Sequence, residues 1–284
     1  LNKDGKRAVH VVADVGYEAA AHRVAQTALE HFGRIDTWVN GAGIGIYGRL
    51  LDVTTEDHRR LFETNFWGVV YGSLEAARYL REHGGAIINI GSEVSDRAVP
   101  ILGMYAASKQ AVKGFTDALR MELEAESAPV SVTLIKPSAT DTPFPDHARN
   151  YLDEEPALPE PIYAPEIVAE VILHCAENPE RDMYGGGAAK VHALEEKFVP
   201  RLVDGLMERS LIPKMKSGRP ANRADDALHH PTTGLRQRGQ SPGKRRESSL
   251  FVRASMHPTL SALLIGGGAL AAMSLATAAI ANRR

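Results

Sequence analysis

Up to about residue 184 the chain alternates two patterns of apolar positions. Short, nearly continuous apolar runs appear as AVHVVADV (8–15), IDTWVN (35–40), GAIINIGS (85–92) and VSVTLIKP (130–137). Runs of this kind suit strands buried on both faces of a parallel sheet. Between them lie stretches with helical spacing: YEAAAHRVAQTALEHFG (17–33), 55–80, 103–127 and one ending near 177. Gly33 stands where a left-handed residue closes a helix. Thr54, with Asp57 three residues on, marks a helix start. The alternation predicts a doubly wound α/β domain on a parallel sheet, with a proline-punctuated loop at 137–165.

Beyond residue 212 the pattern dissolves. The stretch 212–257 has few apolar residues, much Gly, Pro and Ser, and a basic bias. It predicts a flexible basic linker, because it carries little surface to bury against the cost of ordering. The run TLSALLIGGGALAAMSLATAAI (259–280) is uncharged. At about 1.5 Å per residue it is long enough for a hydrocarbon core of about 30 Å. Gly268, Ala272 and Ala276 recur at a spacing suited to close helix packing. Lys244, Arg245, Arg246 and Arg253 precede the run, and only Arg283 and Arg284 follow it. The expectation is a membrane anchor with the domain on the cytoplasmic side; a helix docked on the domain or on a partner is the alternative. The chain then divides into an α/β domain at 1–211, a linker at 212–257 and an anchor at 258–284.

Composition narrows the function. The 284 residues carry a formal net charge of -2, which gives no support for nucleic acid as the main partner. Cys175 is the single cysteine, so no internal disulfide forms and a reducing compartment is the natural setting. No Cys and His fall at metal-ligand spacing, and no metal is expected.

The glycines Gly43, Gly45 and Gly48 spell G-x-G-x-x-G after a strand. A phosphate-binding loop needs the last glycine to open a helix, and the next helix start is Thr54. The glycines therefore read as a strand-exit loop. Elsewhere, Tyr105 and Lys109 stand one helical turn apart, on one face. Ser92 ends a buried strand thirteen residues before Tyr105. Both belong to the carboxyl side of the sheet, where α/β domains place ligands. Asn65 adds a polar group to an otherwise apolar helix face. No G-x-S-x-G surrounds Ser92, which argues against a hydrolase.

Asp14, NGAG (40–43), Asn65, Ser92, Tyr105, Lys109 and KPSATDTP (136–143) occur in that order. At these spacings the chain, over about 8–184, resembles the short-chain dehydrogenase/reductase family, with its Rossmann-like fold. The resemblance implies an oxidoreductase that moves a hydride between NAD or NADP and a carbonyl or secondary alcohol. It makes Tyr105 the acid/base, with Lys109 lowering the phenol's pKa and binding the nicotinamide ribose. It gives Ser92 the substrate oxygen and Asn65 a water linking Lys109 to solvent. It sets Asp14 and Val15 against the adenine, and Asn40, Ala42 and Gly43 beneath the cofactor. Pro137, Thr140 and Thr142 would face the nicotinamide amide. Homo-oligomers form in the family through helices equivalent to 55–80 and 103–127.

Gly41 and Ser138 depart from the family pattern, which has Asn-Asn-Ala-Gly and Pro-Gly there. Glu93, Asp96 and Asp141 read as solvated loop positions, and His10 as a residue packed within its strand. The loop 144–163, with Phe144, Tyr151 and Tyr163, reads as a lid favouring a partly apolar substrate. The family begins with a strand, a glycine-rich turn, a helix and a second strand, whereas this sequence begins at what resembles the third strand. The expectation is an N-terminally truncated member lacking the first strand-helix-strand-helix units. The alternative is a catalytically silent remnant acting only in binding or oligomerisation.

Overall fold

The structure, a computed structural model, describes residues 5, 7–222, 226–232, 236–240 and 243–259. Four parallel strands make the central sheet: β1 (Thr37–Asn40), β2 (Gly85–Ile90), β3 (Val130–Pro137) and β4 (Asp182–Gly185), in that order across it. Around them run α1 (Glu18–Phe32), α2 (Thr55–Phe62), α3 (Gly68–His83), α4 (Gly103–Ala125), α5 (Pro165–Glu177), α6 (Gly187–Phe198), α7 (Pro200–Lys214) and α8 (Leu250–Met256). A π-helical turn, Glu63–Trp67, joins α2 to α3.

The continuous apolar strands have the two-sided burial that their pattern predicts. Successive residues point to opposite faces. Ile87 joins Leu80, Leu119 and Val132 under α3 and α4, while Ile88 joins Ile135, Ile167 and Val171 under α5. The helix ends are also as expected. Gly33 takes φ 77° and its N–H donates to Leu29 O at 2.9 Å. Thr54 caps α2, its Oγ1 accepting from Asp57 N at 3.2 Å. Thr54→Ala is expected to cost about 1 kcal/mol, read as a lower urea midpoint at unchanged slope.

The stretch 8–15 is not a strand. Among the described residues β1 pairs only with β2, so its outer edge offers this segment no ladder. Without ladder hydrogen bonds, apolar alternation alone does not make a strand. Val12 is 90% exposed, and His10, expected to pack, is exposed as well.

The described part of 212–257 folds back on the domain rather than running free as a linker. Lys216–Pro220 pairs antiparallel with Glu154–Pro156, and Arg245–Arg246 pairs with Ile162–Tyr163. Leu228 is fully buried beside Ile46, Val53 and Leu61, and Val252 enters the core under α5. The stretch has too few apolar residues for a core of its own, but Leu228 and Val252 are seated in cores that the domain already supplies. Among the described residues no helix is long and apolar enough to cross a membrane. The expected span 259–280 lies, after Thr259, outside the described residues.

Candidate active site

The site forms at the carboxyl end of β2 and β3. Beyond β2 the chain turns at Gly91, where a Cβ would meet Ser95 Oγ at 2.8 Å. Ser92 then caps a short helical turn, Glu93–Ser95: its Oγ accepts from Val94 N at 3.3 Å, and its own N–H donates to Ser95 Oγ at 3.1 Å. The first turns of α4 bring Tyr105 and Lys109 across from it. Lys109 Nζ donates to Ile90 O at 2.8 Å and lies 5.9 Å from the Tyr105 ring centroid.

Asn65 sits in the π turn, a distortion that often marks functional positions. It is fully buried. Its Oδ1 accepts from Ile44 N at 2.8 Å, and its Nδ2 donates to Ile44 O at 2.9 Å and Ser108 Oγ at 3.2 Å. Asn65 thus straps the loop after β1 to α4. A Cβ on Gly43 would stand 3.6 Å from both Asn65 Oδ1 and Lys109 Nζ.

Burial sets the electrostatics. It pushes the Tyr105 phenol up to about 12; the hydrogen bond with Ser92 opposes the shift and the charge of Glu93 adds to it. The direction is the reverse of the lowering expected from Lys109. Burial likewise brings the Lys109 ammonium down to about 8. Both groups are thus held where charge is disfavoured, and each responds strongly to a new partner.

A cavity of about 770 Å³ opens here, lined by Gly43, Ser92, Tyr105, Lys109, Pro137, Thr140 and Thr142 among the expected residues. Asn65 lies behind its wall. Asp14, Val15, Asn40 and Ala42 do not line it. Asp14 accepts from Gly16 N at 3.0 Å and from Arg60 Nη2 at 2.7 Å. Val15 packs so close to α3 that a Cβ on Gly68 would meet it at 2.8 Å. Asn40 is spent on a polar network: Trp38 Nε1 donates to its Oδ1 at 2.8 Å, and its Nδ2 donates to Asn89 Oδ1 at 2.8 Å and Ser73 Oγ at 3.0 Å. Ala42 is exposed.

The loop glycines are packing positions. A Cβ on Gly45 would strike Phe144 Cζ at 2.6 Å, and one on Gly48 would strike Tyr151 at 2.8 Å. Of the three lid aromatics, only Phe144 faces the cavity, its ring 5.2 Å from that of Tyr105. Tyr151 donates to Asp57 Oδ2 at 2.7 Å, and Tyr163 is buried in the core under α5.

The three carboxylates expected to be solvated all have partners. Glu93 accepts from His192 Nδ1 at 3.2 Å. Asp96 accepts from Lys136 Nζ at 3.0 Å and Tyr184 OH at 3.2 Å. Asp141 is fully buried in an ion pair with Arg245. Their sequence neighbourhoods are polar loops; α6 and the strand at 245–246 fold over them only in three dimensions. Glu93 and His192 both line the cavity and were missed as site residues. The adjacency of Glu93 to Ser92 was a usable signal, but nothing local pointed to His192.

Residues 1–152 match the sequence profile of the short chain dehydrogenase family. The uncharacterized oxidoreductase YxnA of Bacillus subtilis is 46% identical over 271 residues, which cover 94% of this chain and 76% of that protein. A short chain dehydrogenase from Burkholderia cenocepacia, solved with NADP, shares the fold at TM-score 0.61 and 24% identity, covering 73% of this chain and 84% of its own. A 3-ketoacyl-(acyl-carrier-protein) reductase from Brucella melitensis, solved with NADH, is 28% identical at TM-score 0.53, covering 64% and 79%. The parallel sheet, the site at its carboxyl edge and these similarities agree: the chain belongs to the short chain dehydrogenase family.

Proposed function

We propose that the chain is an oxidoreductase using NAD or NADP on a carbonyl or secondary alcohol, with Tyr105 as the acid/base. The observation that carries this reading is the convergence of Ser92, Tyr105 and Lys109 on one cavity beside Gly43. The residues present fit the nicotinamide half of such a cofactor. Lys109 spends one N–H on Ile90 O and keeps donors for ribose hydroxyls. Thr140 and Thr142 bring hydroxyls to the wall, and a Cβ on Gly41 would meet only open space. The bound nicotinamide supplies or accepts the hydride.

The side chains do the rest. Ser92 holds the substrate oxygen within reach of the Tyr105 hydroxyl. Tyr105 gives its proton to that oxygen in reduction and takes it back in oxidation. Lys109, an ammonium on the same helix face, stabilises the phenolate so formed. Asn65 keeps the loop carrying Gly43 at its distance from α4, and holds the site's back wall. The apolar wall, including Val94, Leu102, Phe144 and Leu211, favours a partly apolar substrate. Exposed Trp67, Leu74 and Met121 on the outer side of the domain support pairing with a second copy.

The test is turnover of NADH or NADPH with simple ketones, followed by nicotinamide absorbance across pH. Lys109 is charged below about 8 and loses that charge above it. The free-enzyme profile, kcat/KM, is therefore expected to fall above about pH 8. Lys109→Arg should carry the falling limb beyond pH 10, because guanidinium stays protonated there. No turnover with either cofactor would overturn the reading and leave a chain that only binds.

A further inference from the structure

Of the two carboxylates that line the cavity among the described residues, Glu93 and Glu160, only Glu93 adjoins the catalytic set in sequence, and no step of the proposed chemistry uses it. Glu93 follows Ser92 directly, lines the cavity, and is near enough to Tyr105 for its charge to act on the phenol. Its side chain is only 17% exposed. A carboxylate so placed needs donors for its lone pairs. His192 supplies one, at 3.2 Å to Oε2. Among the described residues Oε1 receives no hydrogen bond.

The pair is held rigidly. Ala189 N, at the start of α6, donates to Ser138 Oγ at 3.0 Å. Buried Arg97 reaches Glu196 on α6 and Asp204 on α7, the latter at 2.7 Å. The helix carrying His192 is therefore clamped over the cavity, and His192 in turn fixes the Glu93 rotamer. Burial would neutralise an isolated imidazolium, but Glu93 and Glu195 outweigh both that and the opposing charge of Arg97, and hold the His192 pKa above its usual value. A carboxylate oxygen fixed by a second residue is a recognition element rather than a floppy wall.

Resting on the oxidoreductase reading above, we propose that Glu93 determines specificity: its Oε1 accepts a hydrogen bond from a hydroxyl on the carbon next to the reacting carbonyl. The substrates selected are hydroxyketones and, in the oxidative direction, the matching vicinal diols, apolar elsewhere. The residue only accepts hydrogen bonds. A methyl in the same place leaves Oε1 unsatisfied, and a carboxylate brings a like charge with no proton to give. His192 is a positioning residue that acts through Glu93.

Acetophenone, 2-hydroxyacetophenone and phenylglyoxylate differ only in the group beside the carbonyl, and so isolate this contact. Calorimetric titration of each into the full chain with bound cofactor, alongside kcat/KM, reads it. The hydroxyketone is expected to bind about tenfold or more tighter than acetophenone, with phenylglyoxylate weakest. Glu93→Leu should bring the first ratio close to one. Glu93→Gln, which keeps the shape and one acceptor, should retain part of that ratio and lose the discrimination against phenylglyoxylate. His192→Asn should weaken the hydroxyketone through KM more than kcat. Equal wild-type binding of the first two ligands, or ratios unchanged in both Glu93 variants, would overturn the proposal. Binding ratios do not depend on hydride transfer. Preserved ratios in a chain without turnover would therefore overturn only the oxidoreductase reading.

Discussion

Tyr105→Phe is expected to lower turnover by about 10²- to 10⁴-fold, with cofactor affinity little changed. The substitution removes one oxygen and leaves the ring, which packs 5.2 Å from Phe144. Among the described residues the hydroxyl's hydrogen-bond partner is Ser92. Loss of proton transfer is then the main consequence. Steady-state kinetics beside a fluorescence titration of cofactor separates the two effects. Equal turnover in both forms would remove Tyr105 from the chemistry. Turnover absent from the wild type as well would place the chain among binding-only members of its family.

Arg245→Met is expected to destabilise the fold by about 3–5 kcal/mol, because it leaves the Asp141 carboxylate buried without its partner. Asp141 is fully buried, and its backbone is bound on both sides: its N–H donates to Tyr163 O at 2.9 Å, and Gly239 N donates to its carbonyl at 3.0 Å. A loss of that size is a large share of the stability of an ordinary domain. Adding Asp141→Asn should restore much of it, since a neutral amide needs no counter-charge. Urea unfolding of the two single variants and the double variant measures the coupling. A flexible tail at 245 would give no change in any of them. Asp141 is flanked in sequence by Thr140 and Thr142, which line the cavity, so loss of the pair should weaken the cofactor site as well.

The local half of the fold was readable from the chain. Continuous apolar runs at 85–90 and 130–137 became two-faced strands because adjacent side chains point to opposite sides of a sheet. Gly33 and Thr54 closed and opened helices because their chemistry acts within one turn. Ser92, Tyr105 and Lys109 were legible for the same reason: a strand end and one helix face place them without long-range information. The stretch 8–15 was misread because a strand needs a neighbour as well as a pattern, and sequence periodicity does not supply one. The described part of 212–257 differs from the expected linker because a segment with little apolar surface can still fold by seating Leu228 and Val252 in a core that other residues provide.

The amino-acid sequence by itself therefore determined the fold class and the family, together with the placing of Tyr105 and Lys109 near a strand-end serine. Those depend on spacings of a few residues and on the order of the motifs. Tertiary structure alone decided which polar groups are buried and what they meet. Glu93 finds His192 across 99 positions, and Arg60 finds the carbonyl of Leu228 across 168. The charge a loop carboxylate holds depends on the helix or strand that later covers it, through desolvation and pairing. That covering is a property of the packed chain, and it is what sets Glu93 against His192 on the cavity wall.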